Sequence, residues 1–182
     1  MEKNTRHLKR WIGLVVALAM VLPACGSDTA DTTTTTQAPA AHLGVAADIV
    51  WGPLNIPDEQ RPTQVCVLGN RFPRNSEIVW RARVVDPVTG EGMGDEELSG
   101  VVVELSDGQV LDMRYGPHPR ENPNDFFWTV SFDVPVDYPT GTLGYEIVAT
   151  AADGRTGTFT QFDVESSLLT ITDEVLETIE EA

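Results

Sequence analysis

The sequence predicts an all-β fold, an antiparallel β-sandwich of seven or eight strands followed by a short C-terminal helix. Apolar and polar residues alternate with the period of two that is typical of half-buried strands. Turns rich in Pro, Gly and Asp separate these runs at near-regular spacing, and no helical period lies between them. No long internal repeat is visible, which argues against propellers and solenoids.

The clearest strand covers residues 77–86. Its predicted inward face consists of Ile78, Trp80, Ala82 and Val84. Arg81 and Arg83 alternate with them and therefore face solvent. Further strands are predicted at residues 49–54, 63–68, 101–105, 109–115, 126–134, 142–151 and 156–164. Asp107-Gly108 between two of these runs predicts a hairpin, and the apolar neighbours of Cys66 predict a buried thiol.

The C-terminal segment predicts a helix instead. Ile171, Val175 and Ile179 are spaced four residues apart, and Thr172 or Asp173 could cap a helix over residues 172–181. A helix of about ten residues is marginal on its own, so it would have to pack on the sandwich or fray.

The N-terminus has the pattern of a secretory signal, with a basic head followed by an apolar run from Trp11 to Leu22. This run is too short to span a bilayer, which needs ~20 residues. The run ends in Leu22-Pro23-Ala24-Cys25 and so resembles the lipobox of bacterial lipoproteins. The resemblance implies diacylation of the Cys25 thiol, cleavage before it, and an extracytoplasmic chain anchored to the cell membrane by lipid. An ordinary signal peptide with a chance cysteine is the alternative.

The sequence thus divides into four predicted regions. Residues 1–24 form the signal peptide, and residues 25–46 comprise the lipidated Cys25 and a disordered threonine-rich tether. Residues 47–165 form the β-sandwich, and residues 166–182 form an acidic tail with the short amphipathic helix.

The order of features in residues 77–164 also resembles bacterial immunoglobulin-like modules. Trp80 lies on an early strand, the Asp107-Gly108 hairpin follows, and a late strand begins with the cadence Pro139-Thr140-Gly141 to Tyr145. The cysteine pair of antibody domains is missing, so the resemblance implies an immunoglobulin-like architecture and not an immune function.

Charge and cysteine content exclude several classes of protein. After removal of residues 1–24 the chain carries eight basic residues, all arginine, against 27 acidic ones. A surface of this charge repels phosphate backbones and anionic headgroups, so we expect no nucleic-acid partner and membrane contact only through the lipid. Lipidation of Cys25 leaves Cys66 alone, so the domain must fold without an internal disulfide.

No catalytic or metal-binding pattern is visible, so we expect no enzymatic activity, no cofactor and no metal. The sequence lacks a Gly-x-Ser-x-Gly motif, and His118 is the only histidine of the predicted sandwich. Residues 86–97 are rich in acids but lack the alternating calcium-loop pattern, so a solvated loop is favoured and a weak calcium site stays open.

Four of the eight mature arginines cluster within thirteen positions and form the candidate partner-binding surface: Arg71, Arg74, Arg81 and Arg83. Guanidinium groups bind carboxylates in a bidentate manner, which suits an acidic partner. His118 joins these candidates because it lies in the Pro- and Asn-rich stretch 115–125, and sandwich loops often carry recognition. The alternative is that the arginines pair with acids on neighbouring strands, such as Glu104 or Asp112.

These observations favour a membrane-anchored, non-catalytic module that binds or assembles with another envelope protein. The alternative is a solute- or ion-binding accessory lipoprotein of a transporter or membrane redox complex. A closed pocket lined by Trp51, Tyr115 and His118 would favour the solute binder. A flat face with an exposed apolar or arginine patch would favour the protein binder.

Overall fold

The computed structural model describes residues 42–118 and 125–179. The predicted signal peptide, Cys25 and the tether up to residue 41 lie outside the described residues. The strands are β1 (Gly44–Trp51), β2 (Arg71–Arg74), β3 (Glu77–Val85), β4 (Leu98–Leu105), β5 (Val110–Asp112), β6 (Arg114–His118), β7 (Asp125–Asp133), β8 (Gly141–Thr142), β9 (Tyr145–Ala151), β10 (Thr156–Thr160) and β11 (Thr170–Val175). Helical structure within these ranges is confined to α1 (Arg61–Gln64) and a 3-10 turn, Glu165–Ser167. The predicted all-β fold class is confirmed.

The described strands form three sheets. The first sheet has the order β1-β3-β7-β6 and the second has the order β10-β9-β4-β5, and both are antiparallel throughout. The third sheet is small and mixed, because β11 runs parallel to β2 and antiparallel to β8.

The inward residues of the first and second sheets share one hydrophobic core. The predicted inward residues of β3 are all at most 2% exposed: Ile78, Trp80, Ala82 and Val84. The Trp80 ring meets the ring of Tyr145 on β9 edge-on, with 5.9 Å between centroids. Trp80 therefore links the two sheets, as the alternation of its strand predicts.

The predicted hairpin at Asp107-Gly108 is also confirmed. The amide of Leu105 donates to the carbonyl of Gln109 at 2.8 Å, which closes the turn between β4 and β5. Gly108 has a φ of +91°, a region that side chains with a Cβ rarely adopt. A glycine at position 108 is thus required by the geometry of the turn.

The predicted C-terminal helix is wrong within the described residues, because Thr170–Val175 forms strand β11. Ile171 lies opposite Phe72 of β2 and is 1% exposed. Two threonines flank it, and such β-branched residues favour strands. Pairing on both sides and burial in the core outweigh the weak propensity of a ten-residue helix.

The folded part extends beyond both predicted domain boundaries. Leu43, four residues before the predicted start at 47, is 6% exposed, and its amide donates to the carbonyl of Thr156 at 2.9 Å. At the other end, Leu169 and Ile171 belong to the core although they follow residue 165. These two residues of the predicted tail are therefore part of the domain.

The prediction for Cys66 is also wrong, because its thiol is exposed. Residues 63–68 do not form a strand, since α1 covers Arg61–Gln64, with Pro62 in its first turn, and Cys66 adopts a φ of +63°. Proline is tolerated in the first turn of a helix, where its missing N–H is not needed, and this turn interrupts the apolar run. Cys66 is held in place by its amide, which donates to the carbonyl of Trp51 at 2.8 Å.

Candidate binding cleft

A row of polar residues crosses the outer face of the first sheet. Arg81 lies directly opposite Asp48 of β1 on one side and Thr129 of β7 on the other, and Thr129 in turn lies opposite Arg114 of β6. Residues opposite each other on antiparallel strands point to the same side of the sheet. The four side chains therefore share the face that turns away from the core.

A segment of chain between β1 and β2 covers one side of this face. Val50 pairs with Val79 on the outer face, yet it is only 1% exposed and lies outside the main core cluster. Ile56 is 3% exposed and also lies outside that cluster. Both residues are thus buried apart from the main core, on the side where the segment 52–69 lies.

Hydrogen bonds fix this segment to the start of β3. The amide of Gly52 donates to the carbonyl of Glu77 at 2.9 Å, and the amide of Leu54 donates to the Glu77 carboxylate at 3.3 Å. The side chain of Asn55 donates to the carbonyl of Asn75 at 2.7 Å. These hydrogen bonds hold residues 52–69 beside the sheet, and we call this segment the wall.

The wall and the outer face together enclose a cleft of about 990 Å³. The three residues that would favour a solute binder, Trp51, Tyr115 and His118, all line it. Two of their rings also pack elsewhere, since Trp51 contacts Phe72 and Tyr115 contacts Trp128. The cavity is an open cleft and not the closed pocket of the prediction.

The two arginines of the cleft differ in whether an acidic residue already pairs with them. Arg81 donates from Nε and Nη2 to the two carboxylate oxygens of Asp48, at 2.7 and 2.8 Å. This hydrogen bond is the main cause that raises the pKa of Arg81. Arg114 lines the same cleft and makes no ion pair with any described residue. The lining also contains two acids, Glu77 and Asp112, so the numbers of basic and acidic lining residues balance.

The second outward arginine of β3 is neutralised in a similar way. Arg83 forms an ion pair with Asp125, and its guanidinium lies 4.5 Å from the centre of the Phe127 ring. The ring of His118 approaches the same phenylalanine edge-on at 6.0 Å. Arg83 and His118 thus both pack against Phe127.

Pairing of these arginines with acids on neighbouring strands is confirmed, but the predicted partners are wrong. Glu104 and Asp112 lie on β4 and β5 of the second sheet. The neighbours of β3 are β1 and β7, which supply Asp48 and Asp125. Strand adjacency is set by long-range packing, so local alternation identifies the outward face without identifying its partners.

The other two candidate arginines lie in a different sheet. Arg71 and Arg74 begin and end β2, which belongs to the third sheet. Arg74 donates from Nη2 to the carbonyl of Asp173 on β11 at 2.9 Å. The four predicted arginines therefore lie on two different sheets and do not form one surface. Arg74 instead binds β11 through its hydrogen bond to Asp173.

Asp86, the first acid of the acidic loop 86–97, is joined to Asp153 through Arg155. Arg155 donates to Asp86 at 2.6 Å and to Asp153 at 2.8 Å. The hydrogen bond from Arg155 is the main cause that lowers the pKa of Asp86. Among residues 42–118 and 125–179, no group of three or more His, Cys, Asp or Glu side chains is placed to hold a metal.

The cleft includes residues that sequence reasoning missed. Thr129 and Ser131 are the outward residues of the predicted strand 126–134, so the alternation of that strand already indicates their position. Arg114 and Cys66 enter the cleft through the strand register and the wall segment, which the sequence does not reveal.

Comparisons with known proteins do not assign the cleft. No family model matches the chain, and searches of curated proteins and of solved structures also gave no match. In the part of the chain that the structure describes, no helix has the length and apolar character needed to cross a membrane.

Proposed function

We propose that the protein is a membrane-anchored extracytoplasmic lipoprotein that binds a small solute in the cleft, as a non-catalytic accessory of a transporter or membrane redox complex. The observation that carries this proposal is the cleft itself, with a volume of about 990 Å³ and a lining that includes Trp51, Tyr115 and His118. Ligand sites are typically clefts of roughly 300–1,000 Å³ with apolar walls and a few convergent polar groups. Val65, Val79 and Pro117 supply such walls, and Thr129 and Ser131 supply hydroxyls.

The sequence supports the location. The basic head, the short apolar run and the lipobox-like Leu22-Pro23-Ala24-Cys25 favour export and lipid attachment at Cys25. The threonine-rich stretch that follows would separate the domain from the bilayer. The excess of 27 acids over eight arginines in the mature chain argues against nucleic acid as a partner.

We further propose that the first and second sheets are those of an immunoglobulin-like sandwich. Such a sandwich orders its strands A-B-E-D in one sheet and G-F-C in the other. Labelling β1, β3, β4, β5, β6, β7, β9 and β10 as A, B, C, C′, D, E, F and G turns the two observed orders into A-B-E-D and G-F-C-C′. The buried Trp80 departs from the antibody pattern, because it lies on the B-like strand and not on the C-like one.

A second candidate function is binding of another envelope protein. It is favoured by an exposed apolar pair between β10 and the 3-10 turn, Phe162 at 71% and Val164 at 56% exposure. The arginines support it less than the sequence suggested, because Arg81 and Arg83 are already paired with acids. The solute-binding function therefore ranks first.

Blocking the cleft tests the proposal. Ser131 is an exposed residue that lines the cleft, so Ser131→Trp should fill it. Thr158→Trp makes the same change at an exposed position of β10 in the second sheet. Thermal unfolding of the full chain is measured against a panel of amino acids, sugars and short carboxylates, since a bound ligand raises Tm.

We expect at least one solute to raise the Tm of the parent and of the Thr158 variant, but not that of the Ser131 variant. A solute that stabilises the Ser131 variant as strongly as the parent binds elsewhere and contradicts the assignment of the cleft. If no solute in the panel stabilises the parent, the solute-binding function is contradicted in favour of the protein binder.

A further inference from the structure

We propose that the cleft selects a small zwitterion with an aliphatic group, an amino acid of the leucine type. This inference rests on the proposed solute-binding function and specifies the ligand of the same site. It follows from the way in which groups of opposite charge are distributed along the outer face of the first sheet.

The carboxylate end of such a ligand is met by Arg114 together with two hydroxyls. Thr129 lies directly opposite Arg114, and Ser131 lies two residues further along β7 on the same face. Arg81 is occupied by Asp48, whereas Arg114 and the two hydroxyls make no side-chain hydrogen bond to any described residue. They are therefore available as donors, and a guanidinium binds a carboxylate through two parallel hydrogen bonds.

The ammonium end is met by Asp112. Asp112 ends β5 of the second sheet and Arg114 begins β6 of the first, and both residues are exposed and line the cleft. The other acid of the cleft, Glu77, is less available because it accepts the amide of Leu54.

The balance of charge disfavours ligands with a single charge. Arg81 is already paired with Asp48 and Glu77 already accepts the amide of Leu54, so Arg114 and Asp112 are the charged lining residues left for a ligand. A lone anion or cation would pair with one of them and leave the other unpaired. The whole chain has a formal charge of −16, and this field further opposes the approach of anions. A zwitterion satisfies both groups without adding net charge, while Val65, Val79 and Pro117 contact its aliphatic part.

The test compares L-leucine with its two halves. These are 4-methylpentanoate, which lacks the amine, and 3-methylbutylamine, which lacks the carboxylate. Binding of each to the full chain in detergent micelles is measured by calorimetry. We expect leucine to bind at least about tenfold more tightly than either analogue, because each analogue leaves one charged group of the cleft unpaired.

Two variants separate the two ends of the site. Arg114→Gln should weaken leucine and 4-methylpentanoate by about tenfold and leave 3-methylbutylamine unchanged. Asp112→Asn should weaken leucine and 3-methylbutylamine and leave 4-methylpentanoate unchanged. Arg71→Gln, an exposed arginine of the third sheet, serves as the control and should change none of the three.

Each other outcome decides against the inference in a distinguishable way. Equal affinity for leucine and one analogue, or no binding of leucine, overturns the zwitterion. If an uncharged solute then still stabilises the parent but not Ser131→Trp, the cleft remains a solute site and only its ligand class was wrong. If no solute shows that dependence on Ser131, the proposed function fails as well.

Discussion

At the scale of single residues, two ion pairs on one strand differ in burial. The Arg81 and Asp48 side chains are 17% and 39% exposed, whereas those of Arg83 and Asp125 are 49% and 45% exposed. Arg81 also makes two parallel hydrogen bonds to its partner. Exposed pairs contribute little because water and salt screen them, so only the first pair should stabilise the fold measurably.

We therefore expect Asp48→Asn to cost about 1–2 kcal/mol of unfolding free energy, because it leaves a mostly buried guanidinium poorly paired. The matched change Asp125→Asn should cost no more than about 0.5 kcal/mol. Urea unfolding of both variants measures the difference. Equal costs would mean that burial of Arg81 does not strengthen its pair.

The residues of β3 show which side-chain properties can be predicted from the sequence. The inward face of β3 was predictable because alternation within one strand is a local property, and all four residues are buried. The partners of Arg81 and Arg83 were not, since they depend on β1 and β7 lying beside β3. The cleft was not predictable as a whole, because its wall follows from the path of residues 52–69 over the outer face.

At the scale of elements, β11 shows how pairing decides between two local preferences. Ile171, Val175 and Ile179 fit a helical stripe, but in the strand only Ile171 is buried, at 1% exposure, whereas Val175 is 48% exposed. The register shifts between Thr172 and Val175, so the second half of β11 leaves the core. The spacing of the apolar residues can be read from the sequence, but which of them is buried depends on the strands that pair with β11.

Substitutions at Ile171 and Val175 test whether this segment is a strand or a helix. Ile171→Ala should cost about 2–5 kcal/mol, as for other fully buried aliphatic side chains, while Val175→Ala should cost less than about 1 kcal/mol. Chemical denaturation of the full chain is the measurement. Similar costs at the two positions would favour the helical stripe, in which both residues face the same way.

At the scale of the whole molecule, the proposed lipid anchor and the net charge together bear on how the domain would associate with a membrane. A chain with a formal charge of −16 has little electrostatic attraction to anionic headgroups, so the lipid at Cys25 would have to supply the membrane affinity. The two cysteines of the chain make this testable, because Cys66 lies in the domain and is exposed.

Cys25→Ser should move the protein from the detergent phase to the aqueous phase in a detergent phase-separation assay, because the acylated thiol is lost. Cys66→Ser keeps the proposed anchor and should stay in the detergent phase. The unprocessed length of the Cys25 variant on a gel provides a second measurement. An unchanged distribution of that variant would contradict lipidation at this residue.

The parallel pairing of β11 with β2 has a consequence for how the chain is made. Phe72 and Ile171 touch across about a hundred positions of sequence, and both are essentially inaccessible to solvent. Loops of this length close slowly, and the contact cannot form until residue 171 has left the ribosome. For the export that we propose, a chain that is still unfolded can be threaded through a membrane channel. Because this contact closes last, the chain would stay open to threading until its synthesis is nearly complete.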